Sequence, residues 1–126
     1  AMRDYIKPLL RKCPKNIILH IGTNNSIEES SRTVLNEILS LKLFIERRAP
    51  NSKVIISGIV QRFDNDEASF TVSKINEHLN DLDIDLIDNS NIGKNELSAG
   101  GLLLNDIGDG KLAINFIKKI RKINSK

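Results

Sequence analysis

A short apolar run that ends in glycine and then turns polar is the feature that most constrains how this chain folds. The run is Asn16–Ile21, and it is followed by Gly22, Thr23, Asn24 and Asn25. Its aliphatic residues hardly alternate with polar ones, which is typical of a strand buried on both faces in a parallel sheet. They are Ile17, Ile18, Leu19 and Ile21. Polar side chains therefore follow at the carboxyl end of this strand, where α/β proteins place their ligand sites.

The rest of the chain alternates between strand patterns and helical patterns. The predicted elements are helix 4–12, strand 16–21, a helix from Ser26 to Pro50, strand 53–60, helix 70–82, strand 83–88 and helix 109–123. Strands that alternate with helices pair in parallel through right-handed crossovers. This order predicts an α/β fold: a three-layer α/β/α sandwich in the flavodoxin-like style, with a mainly parallel sheet of about three strands. The third strand is short and alternates more, which favours a place at the sheet edge.

Apolar residues recur at helical spacing in three of these segments, and they predict the core. The stripe of the long helix is Val34, Leu35, Ile38, Leu41 and Ile45, that of helix 70–82 is Val72, Ile75 and Leu79, and that of the last helix is Leu112, Ala113, Phe116, Ile117 and Ile120. Ser26 and Glu29 have the spacing of a capping box at the start of the long helix. A loop over 89–108 is long enough to suggest function or disorder.

Length and composition indicate one soluble domain over residues 1–126. The hydrophobic fraction is 40% and the charged fraction 28%, which is ordinary for a globular protein. No apolar run approaches the roughly 18 residues of a membrane span. Cys13 is the single cysteine, which excludes an internal disulfide. Its presence fits a reducing compartment, so an intracellular, cytoplasmic location is expected, with no membrane partner.

The net charge of +3 is mild, but the cations are unevenly placed. The last helix and the tail carry Lys111, Lys118, Lys119, Arg121, Lys122 and Lys126. One interpretation is a solvated face with cations that suit a helix C-terminus. The other is a contact with a nucleic acid or a membrane.

Few residues offer catalytic or metal-binding chemistry. His20 ends the apolar part of the first strand and is interpreted as a hydrogen-bonded residue of the core or rim, while His78 is expected to face solvent. Neither has metal-ligand spacing with a second histidine or a cysteine. Asp64, Asp66 and Glu67 do not follow a calcium-loop pattern. The sequence therefore predicts no metal and no cofactor.

The segment Leu-His-Ile-Gly-Thr-Asn-Asn at 19–25 resembles the Gly-x-Asn-Asp block of SGNH (GDSL-type) esterases and lipases. In that family the asparagine of the block donates a hydrogen bond to the oxyanion. The resemblance places this role on Asn24 and makes Gly22 part of the same oxyanion-hole-like turn. Asn25 stands where the family usually has aspartate.

The resemblance covers most of the chain but little of the family's catalytic machinery. The Gly-Asp-Ser block with the nucleophilic serine is not seen, so the domain is expected to lack the N-terminal nucleophile segment. In the last block, Leu103 stands at the expected histidine position and Gly100 at the expected aspartate position. A leucine cannot accept the proton of a serine. Within the family, the sequence most resembles the SGNH-like domain of retrotransposon-type proteins.

By this resemblance the chain supplies the last three of five parallel strands, so the strand 16–21 has no partner on one side. An apolar strand with an unpaired edge is a pairing hazard. Self-association, as a homodimer or larger species, is therefore expected, with Ile17, Ile18, Leu19 and Ile21 at or near the interface.

Three hypotheses of function follow. The first is a degenerate SGNH-like domain without esterase activity that serves in self-association or protein interaction. The second is part of a working esterase whose nucleophilic serine lies on an absent segment. The third is a nucleic-acid-binding module that uses the basic last helix.

Overall fold

The computed structural model describes residues 15–20 and 30–125. The strands are β1 (Asn16–His20), β2 (Lys53–Ser57) and β3 (Leu86–Ile87), and the helices are α1 (Ser31–Arg48), α2 (Asp66–Asn80) and α3 (Asp106–Asn124), with a short 3-10 helix at Lys94–Glu96. The predicted helix 4–12, Cys13 and Lys126 lie outside the described residues.

The strands form one parallel sheet in the order β1-β2-β3 within the described residues. Ile18 of β1 is paired with Ile55 of β2, and Ser57 of β2 with Ile87 of β3. The predicted α/β fold with a parallel sheet is confirmed, and so is the edge position of the third strand. β2 and β3 are shorter than the sequence predicts.

The two faces of the sheet are covered by different helices. Ile17, Leu19, Val54, Ile56 and Leu86 share one face and pack in the main core with α1 and α2. Because side chains alternate along a strand, Ile18, His20, Ile55, Ser57 and Ile87 occupy the other face. On that face the His20 ring packs edge-on against Phe116 of α3, with centroids 5.9 Å apart. Helices therefore lie on both sides of the sheet, as the sandwich requires.

Helix α1 carries the predicted core stripe but not the predicted start. Val34, Ile38, Leu41 and Ile45 are buried. Ser30 is extended and its side chain accepts a hydrogen bond from the Thr33 amide at 3.2 Å, so Ser30 is the N-cap and a helix from Ser26 is wrong. Ser26 and Glu29 themselves lie outside the described residues. The helix ends before Pro50, as predicted.

Helix α2 begins at Asp66, four residues before the predicted start at Phe70. The Asn65 side chain caps it by accepting from the Ala68 amide at 2.9 Å. Asp66 and Glu67 stand in the first turn, where carboxylates are favoured by the helix dipole. Phe70 is thus inside the helix and is 64% exposed.

Helix α3 begins at Asp106, capped by Asn105, rather than at 109. Its predicted core stripe is only partly correct, because Ala113 is exposed and Ile117 is 50% exposed. Leu112, Phe116 and Ile120 are half-buried. Among the described elements α3 covers its face of the sheet alone, whereas α1 and α2 share the other face.

The segment between β3 and α3 is folded rather than irregular. Leu97 and Leu104 form an isolated antiparallel bridge. The Asn105 side chain donates to the carbonyls of Asn95 and Leu97 at 2.9 and 3.2 Å. Glu96 accepts from the Gly93 amide and from Lys111 of α3, both at 3.0 Å. These contacts fasten the loop to the first turns of α3.

Alanine substitutions at two glycines of α3 are expected to have opposite effects on the stability of the fold. A Cβ on Gly108 would overlap the Glu96 carbonyl oxygen and lie 2.9 Å from Leu104, whereas a Cβ on Gly110 meets no atom within 4 Å. Gly108→Ala is expected to lower the free energy of unfolding by about 1–3 kcal/mol because the backbone contact must open. Gly110→Ala should raise it by about 0.5–1 kcal/mol because alanine favours helix. Urea denaturation measures both, and equal effects of the two substitutions would contradict this packing.

Candidate functional site

Polar side chains meet at the carboxyl ends of the three strands. His20 is the last residue of β1, Ser57 is the last residue of β2, and Asn89 lies two residues after the end of β3. The parallel register sets His20 directly beside Ser57. This edge is where an α/β sheet exposes its functional groups.

Ser57 is the centre of this polar group. Its hydroxyl oxygen lies 3.0 Å from Nδ1 of His20 and accepts a hydrogen bond from Nδ2 of Asn89 at 2.8 Å. The Asn89 Nδ2 also donates to the Gly58 carbonyl at 2.6 Å. Ser57 is 2% exposed and Asn89 is 4% exposed, so these bonds replace water that the groups have lost.

The hydrogen bonds allow two tautomers of neutral His20. An amide nitrogen only donates, so the Ser57 oxygen accepts from Asn89. In the contact between Ser57 and Nδ1 of His20, the hydroxyl donates when the ring carries its proton on Nε2, and the ring donates when it carries its proton on Nδ1.

Helix α3 joins this network through an amide and an aromatic ring. Asn115 Nδ2 donates to the side-chain oxygens of Asn89 and Asn91, both at 2.9 Å. Phe116, the next residue, holds the His20 ring edge-on. The network therefore connects β1, β2, the turn after β3 and α3, and we refer to His20, Ser57, Asn89, Asn91 and Asn115 as the rim network.

Asn76 of α2 fixes the neighbouring turn after β2. Its side chain accepts from the Ile59 amide at 2.9 Å and donates to the Ile59 carbonyl at 2.8 Å. Both backbone groups of Ile59 are thereby satisfied at the point where the strand ends. A cavity of about 640 Å³ lies beside this turn, between α2 and β3, and Asn80, Asp88 and Ser90 are among the residues that line it.

The chemistry of the rim network is that of hydrogen bonding rather than nucleophilic attack. The Ser57 hydroxyl is buried and hydrogen-bonded to both Asn89 and His20. Within the described part of the chain no carboxylate hydrogen-bonds to His20. The asparagine amides neither titrate nor attack.

The predicted site residues fall into two groups. Ile21, Gly22, Asn24 and Asn25 lie outside the described residues, so the oxyanion-hole-like turn stays a prediction. Gly100 and Leu103 lie in the turn between the bridged residues Leu97 and Leu104, and Leu103 is 67% exposed. Of the proposed interface residues, Leu19 is buried and Ile17 and Ile18 are half-buried.

The sequence interpretation found His20 but missed Ser57, Asn89, Asn91 and Asn115. Two of them could have been found from the sequence, because Ser57 lies within a predicted strand and Asn89 directly follows one.

The acidic loop contains an ion pair. Arg62, which is 3% exposed, binds Asp64 through Nε at 2.9 Å and Nη2 at 2.6 Å. This guanidinium lowers the pKa of Asp64. Residues 15–20 and 30–125 hold no group of three or more potential metal ligands.

The His20 environment predicts a pH-dependent stability. His20 as a whole residue is exposed, but the part of its ring that packs against Phe116 loses water, and this desolvation lowers the pKa of His20 from its ordinary 6.5. The unfolded chain then binds more protons than the folded chain, so stability falls as the pH drops below about 6.5 and levels off below the folded pKa. The free energy of unfolding, measured in urea between about pH 8 and pH 5, is expected to decrease over this window.

Two variants separate His20 from other titrating groups in that experiment. His20→Gln should flatten the pH dependence, whereas His78→Gln, at an exposed position of α2, should keep it. A profile that is unchanged by His20→Gln would contradict a lowered pKa of His20 in the folded chain.

None of the described helices is both long and apolar enough to cross a membrane. No protein-family model and no curated protein matches the sequence.

Comparison with solved structures identifies the type of fold. The structure is similar to a carbohydrate esterase family 3 protein from Talaromyces cellulolyticus, with a TM-score of 0.76 and 16% identity over 91% of this chain and 61% of that chain. It is also similar to a member of the lipolytic G-D-S-L family from Veillonella parvula, with a TM-score of 0.68 and 21% identity over 93% of this chain and 71% of that chain. Neither supports the narrower resemblance to retrotransposon-type proteins. The chain thus spans less than two thirds of the first neighbour and has an SGNH/GDSL-like fold.

Proposed function

We propose that this chain is an SGNH-like domain that does not hydrolyse esters by itself and that functions by association with another copy of itself. The observation that carries the association is the edge of β1 with which no strand pairs in residues 15–20 and 30–125. The observations that speak against hydrolysis are the residues at the rim.

The missing catalysis follows from side-chain chemistry. By the family resemblance, Leu103 replaces the general base and Gly100 replaces the aspartate that would orient it. Neither residue transfers a proton. His20 is no substitute for this base, because the serine that its Nδ1 contacts, Ser57, is 2% exposed and out of reach of a substrate.

The association follows from the backbone of β1. The Lys53 amide donates to the Lys15 carbonyl at 2.9 Å, so the backbone groups of Lys15 and of every second residue after it point toward β2. The backbone groups of Asn16, Ile18 and His20 then point the other way. Among residues 15–20 and 30–125 no strand pairs with that side. A strand edge of this kind is a template for another strand.

The esterase alternative is favoured by one observation. The neighbouring structures are esterase and lipolytic proteins whose chains are longer than this one. A nucleophile supplied by a segment outside this sequence would act beside Asn24. This alternative still requires a base in place of Leu103.

An ester assay separates the two proposals. The purified chain is expected to release p-nitrophenol from p-nitrophenyl acetate no faster than Asn24→Ala does, because an oxyanion donor without nucleophile and base has no reaction to assist. Absorbance at saturating substrate measures the rate. Ser57→Ala serves as the control for adventitious turnover by the rim network. A rate above background that Asn24→Ala abolishes would establish the esterase alternative.

A strand-edge variant tests association. Ile18→Pro removes an amide that points away from β2 and leaves the β1–β2 ladder intact, so it should lower the mass in solution toward that of a monomer. Light scattering coupled to size exclusion measures the mass, and far-UV circular dichroism checks the fold. Ile18→Val keeps the amide and should associate like the wild type, and Asn16→Pro provides a second edge variant if Ile18→Pro fails to fold. A wild-type chain that stays a monodisperse monomer at all concentrations would overturn the proposal.

A further inference from the structure

We propose that the outer face of α3 binds the acidic loop 81–83 of a second copy of this chain. The proposal rests on the proposed self-association and adds to it a second contact, distinct from the edge of β1. Its basis is a helix face that is apolar in one half and basic in the other, and a loop with the complementary character.

The first half of the outer face of α3 exposes three isoleucines, and the one cation beside them in this half, Lys111, is paired with Glu96 at 3.0 Å. Ile107 is 64% exposed, Ile114 is 51% exposed and Ile117 is 50% exposed. Their spacing of seven and ten residues places them on one side of the helix. Phe116, which contacts His20, marks the opposite, inner side. The exposed isoleucines therefore form a second stripe, which the packing against the sheet does not use.

Gly110 lies between Ile107 and Ile114 on this stripe. No atom lies within 4 Å of the position that its Cβ would occupy. A glycine on an exposed helix face costs about 1 kcal/mol relative to alanine. It also leaves a shallow depression in the stripe into which one apolar side chain of a partner fits.

The second half of the outer face is basic. Lys118 and Arg121 follow Ile114 by four and seven residues, so they point to the same side of the helix. Lys122 stands beside them, and α3 has no acidic residue from Gly110 to its end. No ion pair is found for these three cations within the described residues. Favourable interaction with the helix dipole accounts for cations in the last turn, Arg121 and Lys122, but not for Lys118.

The loop after α2 has the matching pattern. Asp81, Leu82 and Asp83 are all exposed, with Leu82 38% exposed between the two aspartates. Asp85 is already paired with Lys53 at 3.6 Å, whereas Asp81 and Asp83 have no ion pair among the described residues. A leucine flanked by carboxylates complements an apolar stripe that continues into cations.

The arrangement favours a protein partner over a bilayer or a nucleic acid. The cations of α3 follow its isoleucines along the axis rather than around it. A flat membrane that buried Ile114 would bury Lys118 and Arg121 as well. A phosphate backbone would meet isoleucines over half of the face. The two patches can meet reciprocally across a two-fold axis or head to tail, and one helix face is small for a stable interface. Association through it should be weak and should rise with concentration.

Charge reversal with rescue tests the contact. All variants are made in the Ile18→Pro background, so that the strand edge does not contribute, and in the wild-type background in parallel. The double variant Lys118→Glu/Arg121→Glu should weaken association about tenfold at low ionic strength, because two attractive pairs become repulsive. Asp81→Lys/Asp83→Lys should weaken it equally. An equimolar mixture of the two double variants should restore it, as measured by sedimentation velocity.

The control has the same charge change elsewhere: Arg32→Glu/Arg47→Glu, at exposed positions of α1, should leave association unchanged. The proposal is overturned if both double variants lose association and their mixture does not restore it. It is also overturned if the wild type binds phosphatidylserine vesicles or polyuridylate and only Lys118→Glu/Arg121→Glu abolishes that binding. If the wild type associates and Ile18→Pro is fully monomeric with no effect of charge reversal, the α3 contact is wrong and the strand-edge proposal stands. If Ile18→Pro changes nothing and charge reversal abolishes association, the strand edge is wrong as the interface.

Discussion

The buried hydroxyl of Ser57 is the constraint on which the carboxyl edge of the sheet depends. It is 2% exposed, and a buried hydroxyl that lacks partners costs about 1–3 kcal/mol. Asn89 donates to its oxygen, and His20 forms its second hydrogen bond. Asn89 in turn requires Asn115 at its own oxygen. One hydroxyl thus connects two strands, a turn and a helix, and a change in any of them leaves a buried polar group unpaired.

Residue periodicity was sufficient to predict the kinds of elements, their order and the main core. Val34, Ile38, Leu41 and Ile45 are buried where the helical spacing put them. The first residues of the helices were harder to predict from the sequence, because they depend on capping. Ser30, Asn65 and Asn105 each cap a helix through a side-chain oxygen. Such residues are equally common in turns, and nothing local separates a capping asparagine from a loop asparagine.

The rim network was only partly predictable for a different reason. Residues at the carboxyl ends of parallel strands share one edge of the sheet, so His20 could be placed there from the sequence. Its pairing with Ser57 depends on the register of β1 against β2, which joins residues 37 positions apart. A shift of one residue would move Ser57 to the other face. The sequence specifies that register through the packing of both faces together, which no local pattern reveals.

The uneven covering of the sheet explains why α3 has two apolar stripes. Two helices close the face that contains Leu19 and Ile56, so those side chains are buried. The opposite face has α3 alone among the described elements, and its inner residues Leu112 and Phe116 stay half-buried. A helix in that position gains less from its inner face than α1 does. Exposure alone does not single out this face, because Phe70 of α2 is 64% exposed and Leu43 of α1 is 53% exposed. The outer face of α3 differs in that three exposed isoleucines are followed along the same helix by cations.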